Sequence, residues 1–151
     1  GLDRTARDAL EALGAVTIVL MLVVVAVTEE LAKSLHVYAA YQHRRFDRAL
    51  RTALVLGTAS GVGFFVAEKI ALLAQLVGLP ELALGEAGLL GGVVVGPVLV
   101  LFLLAPLVLH VVTATISAVG ARRGRGAYAV AVVLAMAIHF AYNMAVVVAL
   151  V

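Results

Sequence analysis

The sequence predicts an all-α membrane protein: a polytopic helical bundle with about four transmembrane spans, forming one domain over residues 1–151. Two observations of composition and length support this. The chain is 64% hydrophobic and only 13% charged, whereas a soluble domain is about half apolar and about a quarter charged. The apolar stretches also repeat at lengths that can cross a bilayer, which takes roughly 20 residues of helix.

The composition excludes several classes of function. There is no cysteine, so disulfides, thiolate metal sites and cysteine nucleophiles are ruled out. A net charge of +2 is too small to suggest a nucleic-acid partner, and the partner we expect is the lipid bilayer. The chain begins with Gly1 instead of Met, so we interpret it as part of a longer or processed protein. No signal peptide is predicted, because Glu29 and Glu30 follow the first apolar run where a small-residue cleavage site would be needed.

The first predicted span covers residues 13–40, and a short basic loop at residues 43–51 connects it to the second span at residues 50–79. An acidic loop follows. The segment 80–97 then becomes rich in glycine, and the sequence leaves its conformation open. The third span, residues 98–119, is expected to kink at Pro106, which removes a backbone hydrogen bond. A second basic loop at residues 122–125 precedes the fourth span, residues 128–150.

The loops also predict an orientation. Arginines are concentrated in the first and third loops, and the second loop carries none. The positive-inside rule therefore places the loops at residues 43–51 and 122–125 in the cytoplasm and both termini outside.

Glu29, Glu30 and Lys33 lie within the first span. Ionisable residues at such depth are rare, and they usually face a protein interior or a watery cavity. Lys33 is within reach of either carboxylate, at i+4 from Glu29 and i+3 from Glu30. An ion pair that merely eases insertion accounts for one carboxylate. The other remains free to take a proton from water, which general-base chemistry requires.

Each later span carries a polar residue of the same kinds. Glu68 follows Phe64 by one turn in the second span, His110 lies in the third, and His139 and Asn143 share a face of the fourth. Taken singly, the histidines and Asn143 are explained by structural hydrogen bonds, and Glu68 is explained by a small aqueous vestibule at the outer leaflet. Taken together they indicate one site, because facing helices of a bundle can bring such side chains to a shared interior point.

The spacing of these residues resembles that of the PrsW family of intramembrane proteases. That family is grouped with the type II CAAX prenyl endopeptidases, the bacteriocin-processing peptidases and a scaffold subunit of γ-secretase. The CAAX-type relatives usually have His where this chain has Glu68. The resemblance covers residues 28–143 and is carried by four motifs: Glu29-Glu30-x-x-Lys33, Phe64-x-x-x-Glu68, His110 followed by Thr113 and Gly120, and His139-x-x-x-Asn143.

The resemblance implies hydrolysis of a peptide bond in a membrane-anchored protein substrate. Glu29 or Glu30 would be the general base, with Lys33 holding the geometry of the pair. Asn143 would stabilise the oxyanion that forms during hydrolysis.

For the histidines two roles stay open. Glu68, His110 and His139 would bind a divalent metal, with zinc the one this donor set suits, or they would position the water directly with no cofactor.

Two other functions remain at this point. One is a non-catalytic membrane scaffold in which the same residues stabilise packing. The other is a proton-coupled transporter, which is disfavoured because the four spans show no inverted repeat.

Overall fold

The structure is a computed structural model that describes the backbone of residues 4–77 and 95–150 and the side chains of residues 13–74 and 103–149. Within these ranges the chain forms four helices and no strands: α1 is Arg4–Gln42, α2 is Leu50–Val77, α3 is Val95–Arg123 and α4 is Arg125–Leu150. Each helix contains a stretch long and apolar enough to cross a membrane. The predicted all-α membrane bundle is therefore confirmed.

The connection between α3 and α4 is shorter than expected. Arg122 and Arg123 end α3 and Arg125 begins α4, so the second basic loop reduces to Gly124. This residue has φ +119°, a conformation that glycine adopts without the penalty a Cβ brings. The arginines therefore extend the two helices at one end of the bundle.

The structure leaves untested two expectations about the chain between the second and fourth spans. Pro106 lies inside α3, which continues through it, and the kink there stays a prediction. The acidic loop and most of the glycine-rich segment predicted within residues 80–97 lie outside the described residues.

Glycines set how closely α2 approaches α3. A Cβ built on Gly61 would lie 2.6 Å from the carbonyl oxygen of His110 and 2.6 Å from the Cα of Val111. No side chain fits in that space, so the two helix backbones touch at the level of His110. Small residues commonly permit such contacts between membrane helices.

The apolar core lies near the arginine-rich end and combines small side chains with two tyrosines. Its members are Val37, Tyr41, Ala53, Ala118, Ala121, Tyr128 and Val132. Arg122 Nη1 donates a hydrogen bond to the carbonyl of Arg48 at 3.1 Å, which places the α1–α2 connection beside the α3–α4 turn. Lys33, the buried charged residue nearest this end, precedes Val37 by four positions and so lies about one helical turn farther from it.

Candidate active site

The ion pair between Glu30 and Lys33 forms the centre of the site. Lys33 Nζ donates to Glu30 Oε1 at 2.6 Å, and both side chains are completely shielded, at 0% exposure. The same oxygen accepts a hydrogen bond from Nδ1 of His139 at 2.8 Å. A buried charge needs such partners, because it has lost its hydration. The expected ion pair in the first span therefore exists, and it uses the i+3 neighbour.

Serine and tyrosine hydroxyls fix α1 around this pair. Ser34 Oγ donates to the carbonyl of Glu30 at 2.7 Å. Because its proton is used there, Ser34 accepts a hydrogen bond from the hydroxyl of Tyr128, 2.9 Å away. Ser60 on α2 donates to the carbonyl of Lys33 at 2.6 Å. Sequence reasoning missed these three residues, although Ser34 at i+4 from Glu30 shows the spacing of a helix back-bond.

His110 connects the ion pair to Glu68. Its Nδ1 lies 2.9 Å from Lys33 Nζ, and an ammonium group can only donate, so Nδ1 is the acceptor. Nε2 of a neutral ring then carries the proton and donates to Glu68 Oε2 at 2.8 Å. Lys33 also donates to Thr113 Oγ1 at 3.2 Å, and the ring of Phe64 lies 5.2 Å from that of His110.

His139 presents its second nitrogen to Glu29. Since Nδ1 donates to Glu30, Nε2 of a neutral ring has a free lone pair. Nε2 is 3.6 Å from Glu29 Oε2, which is beyond hydrogen-bond distance. The His139 ring lies edge-on to the ring of His110, with 5.5 Å between the centroids.

The two adjacent glutamates occupy different environments. The side chain of Glu29 is 23% exposed and that of Glu68 is 33% exposed, whereas Glu30 is fully enclosed. Oε2 of Glu29 is nevertheless shielded from solvent and has no hydrogen-bond partner in the described part of the chain. The site is thus accessible on the side of Glu29 and Glu68. The partly exposed side chains of Glu29 and Glu68 are available there to a water, a substrate or a cation.

Glu68 has a partner that we did not predict. Lys69 Nζ lies 2.6 Å from Glu68 Oε1 and 5.2 Å from the centre of the Phe65 ring. Glu68 therefore lies between an ammonium and the imidazole of His110. Adjacent helical residues do not usually face each other, which explains why spacing alone gave no sign of this contact.

The donors fit a divalent metal. One ligand atom each from Glu29, His110 and His139 lie within 4.8 Å of one another. Ligands about 2.1 Å from a tetrahedral zinc are roughly 3.4 Å apart. The separation of 3.6 Å between His139 Nε2 and Glu29 Oε2 is close to that value. The unpaired Oε2 of Glu29 also suits a cation.

The carboxylate in this group is Glu29, and the role of Glu68 as the carboxylate ligand stays a prediction. Glu68 reaches the group through His110. His139 has a nitrogen free for a ligand, whereas both nitrogens of His110 are occupied, by Lys33 and Glu68. His110 would bind a metal through Nε2 after the Nε2 proton moves to Nδ1 and Lys33 withdraws from that nitrogen.

Asn143 lies one turn after His139 on α4 and is half-buried. Among the described residues it has no hydrogen-bond partner. Its role at the oxyanion stays a prediction.

A membrane-spanning helical bundle that encloses carboxylates and imidazoles from all four helices has the architecture of an intramembrane peptidase. The chain belongs to the PrsW family of intramembrane metalloproteases, whose family model matches residues 3–151. The resemblance found from the motifs is therefore confirmed over almost the whole chain, and the protein is an integral membrane protease. No curated protein and no solved structure matches it significantly.

Proposed function

We propose that this protein is an endopeptidase that hydrolyses a peptide bond of a membrane-anchored protein, using Glu29 to take a proton from the attacking water. The convergence of Glu29, Glu68, His110 and His139 from four helices supports this proposal most directly. Hydrolysis needs a base, polarising groups and a space where water and a carbonyl meet. These side chains supply the groups, and the exposed sides of Glu29 and Glu68 supply the access.

Glu29 is the better base of the adjacent pair. Glu30 holds two hydrogen bonds on Oε1 and has no access to solvent. Each of the two glutamates has one carboxylate oxygen with no partner among the described residues, but only Glu29 is partly exposed. A base must reach the proton that it removes, and only Glu29 meets this condition.

Glu30 and Lys33 position the groups around that base. Glu30 accepts a hydrogen bond from Nδ1 of His139, which fixes the ring so that Nε2 faces Glu29. A carboxylate that orients an imidazole in this way is common behind histidines of metal and catalytic sites. Lys33 balances the charge of Glu30 and fixes His110 through Nδ1. Both are therefore positioning residues.

Asn143 is proposed to donate a hydrogen bond to the substrate oxygen that becomes negative during attack. Its place on α4, one turn from His139, puts it on the same face of the helix. An amide in this role typically contributes a factor of about 10²–10³ to turnover.

A divalent metal would be held by His110, His139 and one carboxylate. We assign that carboxylate to Glu68, whose present hydrogen bond to His110 Nε2 a metal would replace, so that Glu29 stays free as the base. Zinc bound there would polarise water and the scissile carbonyl. Glu29 lies close to both histidines. A general base is expected there as much as a metal ligand, because the base and the ligands must surround the same water.

The orientation is proposed from the loops: the arginine-rich end faces the cytoplasm. Glu29 and Glu68 lie on the other side of the buried core from that end. The cleaved bond is then expected within the membrane or near its outer surface.

The experiment that tests this function is cleavage by the purified protein in proteoliposomes that contain membrane-anchored proteins, carried out in water enriched in oxygen-18. Peptide hydrolysis places one labelled oxygen in each new C-terminal carboxylate, which mass spectrometry detects. We expect labelled C-termini with the wild-type protein and none with Glu29→Gln. Stable association with a membrane protein that is never cut would contradict the proposal and support the scaffold instead.

A further inference from the structure

A groove between α3 and α4 runs along the outside of the bundle, away from the polar cluster. Its volume is about 540 Å³. The walls are largely apolar and include Ile116, Val119, Val130 and Leu134. Val130 is 72% exposed and Leu134 50% exposed, so this surface faces the surroundings of the helices. Both helices are membrane spans, and the surroundings at this depth are lipid acyl chains.

The groove has a cationic end. Arg123 belongs to its lining, and Arg125 follows across the one-residue turn at Gly124. Both arginines are exposed. Neither forms an ion pair with another side chain in the described part of the chain. The only acidic side chain described at this end, Asp47, accepts hydrogen bonds from the backbone of Ala49 and from Thr52.

Length and chemistry together match one kind of molecule. From Ile116 to Arg123 the α3 wall extends about 10 Å, at 1.5 Å per residue. A ligand that fills the groove needs an apolar chain of at least this length and a negative group at one end. Arginine is the preferred partner of phosphate because its guanidinium can donate two parallel hydrogen bonds.

We propose that this groove is a binding site for an anionic phospholipid, with one acyl chain between α3 and α4 and the phosphate at Arg123 and Arg125. The span Leu103–Arg123 ends at the first of these arginines, so the two guanidinium groups lie at headgroup depth. Basic residues at the membrane surface attract anionic lipids in general. The groove would in addition hold one such lipid at a defined position. The proposal does not depend on proteolysis, because neither arginine contacts the polar cluster.

The test uses native mass spectrometry of the intact protein, released from detergent micelles with dioleoyl phosphatidylglycerol or dioleoyl phosphatidylcholine. We expect one phosphatidylglycerol to bind more tightly than phosphatidylcholine, with the difference falling as ionic strength rises. Removing both guanidinium groups in the double variant Arg123→Gln, Arg125→Gln is expected to reduce the preference by roughly tenfold. The matched control is Arg44→Gln, Arg45→Gln, which removes the same charge from the same end outside the groove and should keep the preference.

Gly126→Leu tests the apolar part independently. A Cβ at Gly126 would meet nothing within 4 Å, and Gly126 lines the groove, so leucine blocks the groove without pushing the helices apart. Leucine is also a better helix former than glycine. Weaker binding of both lipids to this variant supports the groove. Three results would overturn the proposal: an equal loss in the control pair, unchanged binding to Gly126→Leu, or displacement of the lipid by glycerol 3-phosphate, which has no acyl chain.

Discussion

Lys33 and His110 are 77 positions apart in the sequence, yet Lys33 Nζ lies 2.9 Å from His110 Nδ1. This contact determines which nitrogen of His110 carries the proton. Because Lys33 can only donate, His110 must turn its protonated nitrogen to Glu68. The ammonium that neutralises Glu30 thereby also fixes the imidazole that reaches Glu68.

The packing of α2 against α3 should control this geometry. Gly61→Ala forces a Cβ against the His110 backbone, which moves α2 and its Glu68 away from His110. We expect a loss of stability of about 1–3 kcal/mol from overpacking and a clear fall in turnover. The matched control is Gly63→Ala, because a Cβ there meets nothing within 4 Å. Turnover and thermal unfolding of both variants check this, and equal effects would show that the close contact does not matter.

Much of this arrangement could be predicted from the sequence. Apolar lengths gave the four spans, and helical spacing placed Lys33 beside Glu30 and Asn143 beside His139. Spacing within one helix cannot tell which residues of different helices meet. It therefore did not show that Glu29 lies near both histidines, or that Tyr128 reaches Ser34. Those contacts depend on how Gly61 and similar residues set the distances between helices.

The two lysines of the site should differ in their effect on stability. Lys33→Met leaves the carboxylate of Glu30 buried with only His139 as a partner, and removing one member of a buried ion pair typically costs about 3–5 kcal/mol. Lys69→Met removes a partly exposed ion pair, which is typically worth about 0–1 kcal/mol. Unfolding in detergent, followed by circular dichroism, measures both variants. Similar losses of stability in the two variants would contradict the claim that the buried ion pair of Glu30 and Lys33 forms the centre of the site.

Metal content should separate the ligands from the base. Elemental analysis of the purified wild-type protein is expected to find about one divalent ion per chain, the number that one site of two histidines and one carboxylate can hold. His139→Ala and Glu68→Gln should lose the ion, and Glu29→Gln should keep it. Chelation should abolish turnover and added zinc should restore it. Full activity in metal-free protein would rule out the metal, and loss of the ion from Glu29→Gln would make Glu29 the ligand.

Cysteine labelling should test the orientation of the helices. The chain has no cysteine, so single substitutions give an unambiguous signal. His43→Cys lies at the arginine-rich end, and Glu81→Cys lies in the predicted second loop on the opposite side. A membrane-impermeant maleimide added to intact cells should label Glu81→Cys alone, because the basic end faces inward. Labelling of His43→Cys alone would show that the orientation is the opposite of the predicted one.

The most direct test of the whole account is the turnover of a cleaved membrane protein by Glu29→Gln in proteoliposomes. Glutamine keeps the size of the side chain and removes its ability to accept the proton of water. We predict a fall in turnover of about 10²-fold or more, with unchanged insertion and an unfolding temperature close to that of the wild type. Asp47→Asn, which alters a carboxylate at the basic end, should keep wild-type turnover. Wild-type turnover by Glu29→Gln would contradict the assignment of Glu29 as the base.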